Sequence, residues 1–286
     1  GYINNLGRPA FILNNGTGFF IEGRLFVNGT NTPVHTEQLN TVVGTDLIRV
    51  NGNWDTIDVY GTYERFYNGF SCITNGKVVQ NVTLRGIFDY IRNSCITANN
   101  TNNGALTGLS IVDAWIFCWE GPAISIIDGN DTITRGISVQ NCDIACSGTF
   151  GINFIGVKNF NITNNRISGI GQVDGNNNAI LIGAGNRDFS ISGNLLTYAP
   201  ETGITWGTFP WINITANNDN YVVTGNSAFG YLLTVENTDS KNKLITNNLQ
   251  WGNSVDTSYD IKQNIAIPAS GVEYKNNFAF VLDIYI

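Results

Sequence analysis

"FNITNNRISGIG", residues 160 to 171, sets Phe160 and Ile162 two apart, the spacing of one face of a strand, and then halts on Asn164 and Asn165 before Ile167. Asparagine is a poor strand former, but it tolerates the left-handed backbone of tight turns. The halt therefore reads as a corner between two short strands. "FSISGNLLT" (189 to 197), "YVVTGNSAF" (221 to 229), "KLITNNLQ" (243 to 250) and "DIKQNIAI" (260 to 267) carry an asparagine at the same offset.

Aligning the chain on this pattern makes Leu84, Ile111, Val139, Ile162, Ile191, Val223, Ile245 and Ile261 equivalent, with Ile21 and Val59 as weaker early members. Most intervals fall between 22 and 32 residues. Each interval holds a second short apolar run: "PAISIID" from Pro122, "GINFIG" from Gly151, "NAILIG" from Asn178 and "GITWG" from Gly203. Ile124, Ile152 and Ile204 each follow their reference residue by 13 positions, which makes them the expected inward residues of that second run. A unit of two or three short strands cannot bury its apolar face alone, whereas stacked units form parallel sheets around a continuous core. No helix-period pattern of useful length interrupts the repeat.

The expected fold is therefore all-β, a right-handed parallel β-helix of about eight to ten coils. Asn165, Asn194, Asn226, Asn248 and Asn264 stack at one corner as an asparagine ladder confined to the C-terminal half, because Ala114 and Cys142 hold that slot in earlier coils. Residues 55 to 270 are assigned to the β-helix. Residues 1 to 54 read as antiparallel hairpins or an irregular first coil, and 271 to 286 as a closing strand or a linker to a further domain.

Composition narrows the function classes. Of 286 residues, 42% are hydrophobic and only 13% charged, with a net charge of -7. No clustered Lys and Arg suit a nucleic-acid phosphate backbone. No apolar run reaches the roughly 18 residues needed to cross a bilayer, and no charged-then-apolar leader begins the chain, so membrane insertion is not expected and the sequence reads as a piece of a longer protein. Cys72, Cys95, Cys118, Cys142 and Cys146 form no CxxC pair and cannot all pair internally; most are read as free, buried thiols.

The repeat and ladder resemble the right-handed parallel β-helix, or pectin-lyase-like, superfamily over roughly residues 55 to 270, most closely its phage and viral tailspike-type members. That resemblance implies action on polysaccharides in a groove on the outer face, and for the tailspike type a homotrimer at an extracellular or virion surface. The paired aspartates, Gly-His-Gly and Arg-x-Lys of polygalacturonase-like hydrolases are missing, and the single histidine, His35, lies outside the repeat. Arg135, Arg166 and Arg187 suit a calcium-dependent lyase, but no cluster of adjacent aspartates accompanies them, so neither a metal nor another cofactor is expected.

Outward carboxylates near aromatics are the remaining candidates, since paired carboxyl groups perform glycoside cleavage and aromatic faces seat sugar rings. "IVDAWIFCWEGPA" (111 to 123) offers Asp113, Trp115, Trp119 and Glu120. "YAPETGITWGTFPWINI" (198 to 214) offers Glu201, Trp206 and Trp211, and Asp174 lies in the insertion between. Glu120 and Glu201 form the expected acid/base pair, with Asp113 and Asp174 as substitutes and the four tryptophans as glycan contacts. The expected function is a tailspike-like β-helix that binds and hydrolyses a host surface polysaccharide. A secreted monomeric lyase or hydrolase and a non-catalytic virion shaft or adhesin are the alternatives.

Overall fold

The computed structural model describes residues 2–4, 9–28, 45–101, 103–129, 134–171, 178–197, 211–229, 233–235 and 242–251. Gly1–Gly252 form one compact unit and Asn253–Ile286 a second, which lies outside the described residues together with Asn264 and the expected 271 to 286 segment. In chain order the strands are β1 (Tyr2–Asn4), β2 (Phe11–Leu13), β3 (Gly16–Asn28), β4 (Asp46–Val50), β5 (Trp54–Glu64), β6 (Asn68–Asn75), β7 (Val78–Ile91), β8 (Ser94–Thr101), β9 (Ala105–Cys118), β10 (Ile124–Asp128), β11 (Arg135–Gln140) and β12 (Asp143–Cys146). They continue as β13 (Ile152–Ile155), β14 (Lys158–Thr163), β15 (Arg166–Ser168), β16 (Ile180–Ile182), β17 (Arg187–Ser192), β18 (Leu195–Thr197), β19 (Ile212–Ile214), β20 (Asp219–Thr224), β21 (Ser227–Phe229), β22 (Leu233–Val235), β23 (Lys243–Thr246) and β24 (Leu249–Trp251).

These strands stack as a parallel β-solenoid. The smaller sheet has nine strands in the order β2-β4-β6-β8-β10-β13-β16-β19-β22, one from each coil. Its inward column runs Ile48, Phe70, Ile96, Ile124, Ile152, Ile180 and Ile212, all fully buried. Burying each such side chain contributes roughly 1.5 to 3 kcal/mol. The expected inward residue of the seventh of these, Ile204, lies outside the described residues, and Ile212 holds that register instead. The segment from 198 to 210 lengthens its coil, so a count of 13 residues from the reference position stops short of the strand. In the larger sheet, Phe160, Phe189 and Tyr221 lie on successive coils with ring centroids 4.6 and 4.8 Å apart and nearly parallel planes. That spacing is the coil rise itself.

The described part of residues 1 to 54 is not antiparallel. β1 pairs with β3, β3 with β5 and β2 with β4, all parallel, so these strands belong to the stack. The NG and GT dipeptides that suggest hairpin turns leave no signal that distinguishes a hairpin from a coil corner.

The ladder forms as read from the sequence. Asn165 Nδ2 donates to Asn194 Oδ1 at 2.9 Å, Asn194 Nδ2 to Asn226 Oδ1 at 2.8 Å and Asn226 Nδ2 to Asn248 Oδ1 at 2.9 Å. Below it the Cys142 N–H donates to Asn165 Oδ1 at 2.9 Å. The residue before each ladder position is left-handed: Asn164, Gly193, Gly225 and Asn247, preceded in the stack by Asp113 and Asn141. A second ladder, absent from the sequence reading, joins Asn186 Nδ2 to Asn218 Oδ1 at 3.0 Å behind left-handed Gly185 and Asn217.

Earlier coils turn the first corner differently. Gly23, Gly61 and Gly86 are stacked partners there, and Gly86 pairs with Ala114 only after a register shift that admits an extra residue in β9. β3, β5, β7 and β9 all continue through the corner, as strands of 13, 11, 14 and 14 residues. Above β9 the same path splits into pairs such as β11 and β12.

Candidate functional site

The ends of β5, β7 and β9 and the turn after β12 stack at one corner between the two sheets. Glu64 at the end of β5 is the direct partner of Asp89 in β7. The Arg65 N–H donates to the Asp89 carbonyl at 3.0 Å, Arg92 N–H to Phe66 at 2.9 Å, Glu120 N–H to Arg92 at 2.8 Å and Gly148 N–H to Gly121 at 3.1 Å. Backbone contact at Gly148 is so close that an added Cβ would stand 2.2 Å from the Glu120 carbonyl.

Four half-buried aromatics form a band here. Phe117 stacks on Trp115 with centroids 5.9 Å apart, meets Trp119 edge-on at 5.2 Å and packs against Tyr90 at 5.4 Å. The outward column that contains Trp115 continues through Asp143 and Arg166, which form an ion pair at 2.9 Å.

The corner also holds strained backbone. Arg65 and Tyr90 adopt left-handed φ of 65° and 50°, where Asn, Asp and Gly fill most other left-handed positions of this chain. Bulky residues in that region carry a conformational cost of order 1 to 3 kcal/mol and concentrate at functional sites.

Charge is arranged tightly. Burial pushes the Asp89 carboxyl up to about 6, and the negative charge of Glu64 adds to the rise, against the Tyr90 N–H bond at 2.8 Å and the Arg65 charge, which lower it. Glu64 accepts from Arg24 at 3.0 Å and is mostly buried. Glu120 is paired with Arg92 at 2.8 Å, and its hydrogen bond strengthens the guanidinium's hold on its proton.

Several buried polar atoms of this corner have no hydrogen-bond partner: Arg65 Nε, Arg92 Nε, Trp119 Nε1, Ser147 Oγ and Thr149 Oγ1. Ser147 is fully buried. Native structures leave few such atoms unsatisfied, so water or a bound molecule is expected to meet them. Among the described residues, no three His, Cys, Asp or Glu side chains come together to hold a metal ion.

Of the residues singled out in the sequence, Trp115, Trp119 and Glu120 meet at this corner. Asp113 does not join them: it is exposed, left-handed, and accepts Asn141 Nδ2 at 3.3 Å as part of the turn. Trp211 is buried in the core, with 9% of its surface exposed, at the entry to β19. Asp174, Glu201 and Trp206 lie outside the described residues. Glu64, Arg65, Asp89, Tyr90 and Arg92 were not singled out. Their signal in the sequence is an acidic residue followed by a bulky one, "ER" and "DY", on neighbouring coils, but it emerges only when the two coils are aligned past the first corner.

No family model matches the sequence, and the comparison with curated proteins gives no match. Among solved structures, the chain is similar to DFA-IIIase from Arthrobacter chlorophenolicus A6 in complex with DFA-III, with 14% identity, a TM-score of 0.49 and coverage of 92% of this chain and 62% of that one. A mutant of the same enzyme, also in complex with DFA-III, gives 14% identity, a TM-score of 0.47, and 92% and 63% coverage. The chain thus spans less than two thirds of the length of these structures.

Proposed function

We propose that this solenoid binds a polysaccharide across the Tyr90, Trp115, Phe117 and Trp119 band and hydrolyses it with the Asp89 and Glu64 carboxyl groups. The observation that carries the reading is the Asp89–Glu64 pair, stacked partners on adjacent coils, with Tyr90 next to Asp89 packed against Phe117. Stacked partners lie about 4.8 Å apart along the coil axis, close to the roughly 5 to 5.5 Å between the carboxyl groups of retaining glycosidases. In this scheme, protonated Asp89 gives its proton to the leaving glycosidic oxygen as the C–O bond breaks. A Glu64 oxygen attacks the anomeric carbon, and water, deprotonated by Asp89, then releases the sugar. Arg24 orients Glu64, while the Arg92–Glu120 pair frames the corner. The proposal takes this pair in place of the expected Glu120 and Glu201, of which Glu201 lies outside the described residues.

The finer reading is a tailspike-like homotrimer that acts on a host surface polysaccharide at a virion surface. Incubation with a panel of bacterial surface polysaccharides, followed by reducing-end and chain-length measurement, tests the activity. Shortened chains support hydrolysis, binding without shortening replaces the enzyme with an adhesin, and the absence of both binding and shortening removes the reading. Sedimentation of the full-length parent protein as a monomer would remove the trimer.

A further inference from the structure

The outward column of the larger sheet runs through Thr62, Ile87, Trp115, Asp143, Arg166 and Leu195, a residue from each coil. Register therefore sets Asp143 beside Trp115 and Arg166 beside Asp143, each step about 4.8 Å along the axis. Ile87 and Leu195, further along on either side, are exposed apolar residues. The column thus offers an indole and a charged pair side by side, flanked by apolar surface.

The pair keeps capacity for other bonds. Arg166 Nη1 donates to Asp143 Oδ2 at 2.9 Å, and the two side chains are 56% and 36% exposed. Asp143 Oδ1 has no partner. A carboxylate only accepts and a guanidinium only donates, and the bond between them leaves most of both capacities open. Adjacent sugar hydroxyls suit this combination: one donates to the carboxylate while its neighbour accepts from the guanidinium, and the C–H face of the ring packs on the indole. An anionic substituent suits it poorly, because the pair has no net charge and the carboxylate, nearer Trp115, opposes a second negative charge.

We propose that Asp143 and Arg166 read a vicinal diol of an uncharged sugar residue whose ring packs at Trp115. The inference rests on the glycan reading above and names the kind of sugar taken at this position. Asp143 lies two coils on from Asp89, roughly 10 Å along the axis. The pair therefore determines specificity at a sugar away from the bond being cut and takes no part in the chemistry.

The test is titration of the whole protein with glucose, galactose, glucuronate and galacturonate, read by tryptophan fluorescence, with the melting of each variant measured alongside. The better-bound neutral sugar should bind more tightly than its uronate by about tenfold. Asp143→Ala should weaken neutral-sugar binding by about tenfold or more, and Arg166→Gln should weaken it too, as loss of a charge-assisted bond requires. Melting should shift little in either variant, because an exposed ion pair contributes little to stability. Arg85→Gln, which breaks the similarly exposed Asp58–Arg85 pair of earlier coils, should leave binding unchanged. A uronate that binds as tightly as its parent sugar overturns the uncharged diol and leaves the glycan reading standing. Unchanged binding in Asp143→Ala, an equal loss in Arg85→Gln, or no saturable binding of any of the four sugars overturns the site, while the chain-shortening assay decides the glycan reading separately.

Discussion

Asn194 accepts from the Asn165 backbone at 3.0 Å and from the Asn165 amide, and donates to Asn226 and to the Ile162 carbonyl. Its removal leaves polar groups of two neighbouring coils buried without partners, so Asn194→Leu should destabilise the protein by about 1 to 3 kcal/mol. Chemical denaturation of the variant against wild type measures this, and an unchanged midpoint would refute it. Asp89 behaves oppositely to a paired carboxylate. Its folded value is raised from 3.8 to about 6, so the folded state holds its proton more firmly than the unfolded chain does. The stability this group contributes is therefore present at low pH and is lost as pH rises from about 4 through about 6. Asp89→Asn should remove that slope, seen as melting temperatures that no longer fall across this range by as much as in wild type.

The first corner of the solenoid exists in two forms, and β9 is where one becomes the other. Below it the Gly23, Gly61 and Gly86 column leaves no room for a side chain at Gly61 or Gly86: a Cβ on Gly86 would stand 2.1 Å from the Gly61 carbonyl oxygen, at φ 101°. Gly86→Ala should cost about 2 to 4 kcal/mol, because overlap and backbone strain add. A thermal melt within a degree of wild type would contradict it. Above β9 the left-handed residue and the asparagine behind it were legible in the sequence, since "NN" and "GN" recur at a fixed offset. The second ladder at Asn186 and Asn218 was not legible, because it has only these two members among the described residues and insertions of unequal length precede them. The same insertions misplaced β19, whose inward residue is Ile212 rather than Ile204. Trp115, Trp119 and Glu120 were found because one strand and its following turn carry all three. Glu64 and Asp89 lie on strands that cross the glycine corner without a break, where no asparagine marks the register that makes them partners.

At the scale of the whole molecule, the solenoid turns separation in sequence into a separation of one coil. Glu64 and Asp89 are 25 residues apart in the chain and adjacent in the stack. On the next coil Phe117 packs against Tyr90, the neighbour of Asp89, so the proposed catalytic groups and the aromatic platform share one corner. The parallel strands and buried isoleucine column supply a rigid support, which suits a site that must hold two carboxyl groups at fixed spacing. The measurement that bears most directly on this account is the rate of polysaccharide chain shortening by wild type, Asp89→Asn, Glu64→Gln and Glu120→Gln, with glycan binding followed in parallel. Asp89→Asn and Glu64→Gln should each lose about a hundredfold or more in rate while still binding, and Glu120→Gln should lose less. The wild-type rate should fall as pH rises through about 6, where Asp89 gives up the proton it must donate. Full-rate shortening by either Asp89→Asn or Glu64→Gln would contradict the assignment of the site.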